Sequence, residues 1–140
     1  MQLSKKEIYL LIEIGYYTLF SVVFLPRIIT DRHALDDLTN WVGMTIGIIV
    51  LSTLFFAFSH AILAAVRKEA VTMDERETAI QLRAFRLAYL LYSVSAPAII
   101  ALTLSPFGKE RGNIVLFALL AVLAISAAKS LYAFALHRLV

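Results

Sequence analysis

The residues of this chain best able to do chemistry are ionisable groups set inside long apolar runs: Glu13, His60 and Lys129, with Arg86, Tyr89, Tyr17 and Tyr132 nearby. Charge at membrane depth is costly, so such groups face a protein interior or a wet cavity and mark proton, ion or ligand sites. With a rise of about 1.5 Å per residue, Glu13 stands roughly 8 Å inside its run, His60 roughly 9 Å and Lys129 roughly 11 Å from the same-side ends of theirs. Four separate runs thus offer polar groups to one level. A Glu13–Lys129 ion pair, with His60 and the tyrosine hydroxyls meeting the remaining donors and acceptors, is the simplest way to hold them there. The layer reads either as a device that fixes helix register, with Lys129 able to snorkel along its stem, or as a ligand or proton site open to one side.

A second concentration of charge lies at mid-chain, from Thr72 to Arg86. Thr72 followed by Glu75 is a capping-box spacing and predicts a helix start. Asp74, Glu75 and Glu77 then fall in the first turn, where the helix dipole favours anions, and Arg83 and Arg86 come later. Arg76, Arg83 and Arg86 share one stripe of that helix. As a solvated interfacial helix this needs no further role; as a docking surface for a partner, Asp74, Glu75, Arg76, Glu77 and Arg83 are the candidates. Asp31, His33, Asp36 and Asp37 are metal-ligand types, but their spacing matches no metal signature, and a solvated loop is the expectation.

The elements that position these groups are set by hydrophobicity. Of 140 residues, 61% are apolar, against roughly 45–50% in ordinary soluble chains, and the mean hydropathy is +0.82. Four apolar spans emerge, at about 8–29, 41–66, 84–105 and 113–136, each longer than the roughly 20 residues that cross a bilayer core. The expected fold is all-α: one domain over 1–140, a four-helix transmembrane bundle, with residues 67–83 as a cytoplasmic loop and an amphipathic extension of span three. Nine of the 13 Lys and Arg residues flank one side and four the other. The positive-inside rule then places both termini in the cytoplasm of a multi-pass protein of the cell inner membrane.

Within the spans, Pro97 predicts a kink, with nearby serine hydroxyls free to satisfy the carbonyl it strands. Gly43 and Gly47 form a GxxxG pair, and Ala118, Ala121, Ala124, Ala127 and Ala128 recur at near-helical spacing; both suit close helix packing, or a homodimer face. The Pro- and Gly-punctuated turn from Pro106 to Gly112 makes spans three and four antiparallel neighbours.

Several classes are excluded. With no cysteine, there is no disulfide scaffold and no thiolate metal site. No phosphate-binding glycine loop, GxSxG elbow, HExxH pair or dinucleotide turn is present, so no cofactor or catalytic residue is expected. The formal charge of +3 lies beside apolar spans, which suits lipid head groups rather than nucleic acid.

Met73-Asp74-Glu75-Arg76-Glu77, followed by Ile80, Leu82-Arg83-Ala84 and Arg86-Leu87-Ala88-Tyr89, resembles the cytoplasmic loop of small bacterial four-span membrane proteins of unknown function that carry an Asp-Glu-Arg-Glu/Asp motif, the DUF2178-like group. The resemblance covers about 66–92 and the span layout. It implies a cytoplasmic partner such as a helix-turn-helix regulator and carries over no catalytic residue. The leading expectation is a non-enzymatic membrane protein that binds or senses a partner or ligand through the charged helix and the polar layer. One alternative is a small dimeric proton- or cation-coupled transporter using Glu13, which small multidrug-resistance pumps place comparably. Another is a four-span lipophile-binding enzyme like the MAPEG group.

Overall fold

The computed structural model describes residues 4–31, 37–66 and 74–139 and is helical nearly throughout. Four long helices follow one another: α1 (Lys5–Thr30), α2 (Leu38–Val66), α3 (Glu75–Leu104) and α4 (Arg111–Leu139), with a short 3-10 turn, Pro106–Lys109, between the last two. All four are long and apolar enough to cross a membrane. The chain is therefore built as a multi-pass membrane protein.

Each helix begins or ends where the sequence changes chemistry. α1 opens on a capping box, in which Ser4 Oγ accepts from the Glu7 N–H at 3.2 Å and Glu7 Oε2 accepts from the Ser4 N–H at 2.7 Å. α3 opens the same way on Asp74 and Glu77. The box expected at Thr72 and Glu75 is thus displaced by two residues. Asp74 is itself a strong N-cap, and it has a glutamate three residues on, so the box closes there; Thr72 lies outside the described residues. Asp37 accepts from the Thr39 N–H at 3.0 Å at the start of α2. Between α3 and α4, Gly108 lies so close to the backbone of Leu102 and Thr103 that a side chain there would collide with it. Buried Asn113 ties the turn down by donating to the Phe107 carbonyl at 3.0 Å.

α1 packs on both α2 and α4, and α4 also packs on α3. α3 and α4 are neighbours as expected. The neighbour order is α2, α1, α4, α3, and among the described residues α2 and α3 do not meet, so the bundle is open along one side. The physical reason lies in α2, whose span is apolar with a mean hydropathy of 2.2. Lipid is as apolar as a helix face, so without polar or close-packed contacts nothing draws α2 onto α3. Gly43 and Gly47 bear this out, since no atom lies within 4 Å of where a side chain would begin at either. The GxxxG pair does not seat a helix within the chain.

The α1–α2 seam is aromatic. Tyr16 lies against Phe55 and Phe56, with ring centroids 5.4 Å and 4.8 Å away, and shares a hydrogen bond with Ser52. The seam among α1, α3 and α4 is made of small and aliphatic side chains, with Ile80, Ala84 and Ala133 buried and Leu10 and Leu136 packed against them. Helix α3 runs through Pro97. The Ser93 and Ser95 hydroxyls donate to the carbonyls of Tyr89 and Tyr92 rather than to the Ser93 carbonyl that the proline strands, so they do not serve it as expected.

Candidate functional site

The charged groups gather at one end of the molecule, where the N-termini of α1 and α3 meet the C-terminus of α4. The two capping boxes stand side by side there, and each box glutamate does a second task. Glu7, only 8% exposed, takes an ion pair from Arg138 Nε at 2.7 Å. Glu77 takes one from Lys6. The result is a chain of contacts from α4 through α1 to α3, in which the Lys6–Glu77 pair joins α1 to α3 where their backbones do not approach. A negative group in the first turn also complements the positive end of its own helix dipole, so both glutamates are held by two effects at once.

A cavity of about 240 Å³ opens among these ends, lined by Ser4, Glu7, Asp74, Arg76, Glu77 and His137. Its wall is mostly polar. Along the first turns of α3, Ile80, Ala84 and Ala88 are buried at four-residue intervals, while Asp74, Glu75, Arg76, Arg83 and Arg86 are exposed, with Leu82 and Phe85 exposed among them. The first turns of α3 therefore carry exposed charge on a helix whose inner stripe is packed against the rest of the protein.

The intramembrane layer is distributed differently from the sequence expectation. Glu13 does not pair with Lys129; its Oε2 accepts from the hydroxyl of Ser130, the next residue along, at 2.6 Å. Consecutive helix residues point about 100° apart, so when Ser130, fully buried, faces α1, Lys129 is turned toward α3. The Lys129 ammonium lies 5.2 Å from the centre of the Phe85 ring, a cation–π contact that satisfies it without a carboxylate. His60 stacks on Tyr9 of α1 with ring centroids 4.8 Å apart. Tyr89 is 72% exposed and Arg86 is exposed as well, both on the outer side of α3. The expected layer is thus resolved into separate pairwise contacts at three helix seams.

Ser4, Lys6, Glu7, Ser130, His137 and Arg138 are the members that sequence reasoning missed. Ser4-Lys5-Lys6-Glu7 carries the same capping-box spacing as the segment at mid-chain and was open to the same reading. Arg138 and Ser130 left no such signal, because their partners are far away in sequence. Of the loop residues of metal-ligand type, Asp31 and Asp37 are exposed, while His33 and Asp36 lie outside the described residues.

No family model, curated protein or solved structure matches this chain.

Proposed function

We propose that this is a non-enzymatic integral membrane protein that docks a cytoplasmic protein partner on the outer face of the α3 extension, with both termini in the cytoplasm of a bacterial inner membrane. The observation that carries the reading is the two-sidedness of that extension: a buried stripe at Ile80, Ala84 and Ala88 against an exposed charged face at Asp74, Glu75, Arg76, Arg83 and Arg86. A charged helix held on one side presents its free side in a fixed orientation, which lowers the ordering cost a partner meets on binding. Nine Lys and Arg residues on this side against four on the other support the cytoplasmic assignment. A partner of complementary charge pattern, such as the regulator implied by the family resemblance, fits this face.

The test is site-specific photo-crosslinking in intact cells from Arg76 and Arg83, with Thr103 near the other end as control. The reading expects one discrete protein adduct from the first two positions and none from the control. It also expects the Arg76 adduct to disappear in Arg83→Glu at equal membrane abundance. Adducts only to lipid, or an adduct indifferent to Arg83→Glu, defeat it.

A further inference from the structure

At the opposite end from the charged cluster, α1 and α2 part around a cavity of about 380 Å³. Its mouth carries Arg27, in the last turn of α1, and Asp31, the C-cap residue just after it, both exposed and with no ion pair between them. Phe24, Ile28 and Met44 form apolar walls, and Gly43 and Gly47 line the groove on α2. Because nothing stands within 4 Å of where side chains would begin at either glycine, the groove remains open along α2. Ile46 and Val50, close by on the same helix, are exposed.

We propose that this cavity holds a phospholipid whose headgroup carries both a phosphate and a primary ammonium, the phosphate on Arg27, the ammonium on Asp31, and one acyl chain laid along Gly43 and Gly47. Each part of the ligand answers one part of the site. A guanidinium grips a phosphate through paired N–H donors. A purely anionic headgroup would meet the Asp31 carboxylate at the same mouth, whereas an ammonium is drawn to it and to the negative end of the α1 dipole, where the Asp31 N–H already caps the Arg27 carbonyl at 2.8 Å. A choline headgroup brings the same charge with no N–H to donate. A water-soluble ligand would gain nothing from the apolar walls or the open groove.

The experiment uses the full chain, delipidated in detergent and given dioleoyl phosphatidylethanolamine, phosphatidylcholine or phosphatidylglycerol, with retained lipid read by native mass spectrometry. Wild type is expected to retain the ethanolamine lipid about tenfold over the other two, the scale of one hydrogen bond to a charged group. Arg27→Gln is expected to lose about tenfold in retention, and Asp31→Asn to erase the preference for ethanolamine over choline. A Cβ at Gly47 meets nothing within 4 Å, so Gly47→Leu is expected to fill the groove and lose the lipid while the helical circular dichroism stays that of wild type. Equal retention of all three lipids by wild type overturns the proposal, as does wild-type retention by Arg27→Gln and Gly47→Leu. Displacement of the lipid by equimolar phosphoethanolamine overturns it too, since that headgroup has no chain for the groove.

Discussion

Ser130→Ala removes the hydroxyl that donates to Glu13. Ser130 is 0% exposed and its bond to Glu13 Oε2 measures 2.6 Å, so the alanine leaves a carboxyl oxygen at the α1–α4 seam without its donor. Stranding a fully buried acceptor costs about 1–3 kcal/mol. Glu13 is only half-buried and can turn toward another donor, which puts the expected loss near the lower bound, at about 1 kcal/mol. Glu13→Gln keeps an oxygen in place and should cost less than Ser130→Ala. In a double-mutant cycle Ser130→Ala and Glu13→Ala, which removes the acceptor, should couple by about 0.6 kcal/mol and at most about 1.7 kcal/mol, the mean and maximum for interhelical hydrogen bonds in membranes. The matching cycle with Lys129→Met should be additive to within about 0.5 kcal/mol, because Lys129 faces Phe85 instead. Reversible unfolding of the full chain in mixed micelles, followed by helical circular dichroism, supplies the free energies. Strong coupling of Glu13 to Lys129, with additive losses at Ser130, would refute this account of how α1 and α4 are joined.

Asp74→Ala should cost about 0.5–2 kcal/mol as a lost N-cap and speed amide exchange at residues 75–78, whereas Thr72→Ala should leave that exchange unchanged because Asp74 fills the cap position. Arg138→Gln breaks the pair with Glu7, whose side chains are 32% and 11% exposed; the loss should be about 1 kcal/mol and smaller at high salt, read by the same unfolding titration.

What the sequence determined by itself is what depends on local composition. The four spans follow from runs of apolar residues longer than a bilayer is thick, and the antiparallel pairing of α3 and α4 follows from the short turn at Pro106. A helix start near Asp74 was also legible, though two residues away from where Thr72 and Glu75 put it, because two capping boxes overlap in that stretch and spacing alone does not rank them. Depth along each span can be reckoned from the helical rise, but depth says nothing of rotation about the helix axis. Tertiary structure decided that rotation, and with it that Ser130 rather than Lys129 faces Glu13. It also decided the neighbour order α2, α1, α4, α3, because in a lipid-like solvent apolar composition does not choose partners. The joining of Glu7 to Arg138 and of Glu77 to Lys6 belongs to the same class: long charged side chains find one another only once three helix ends have been brought to one place.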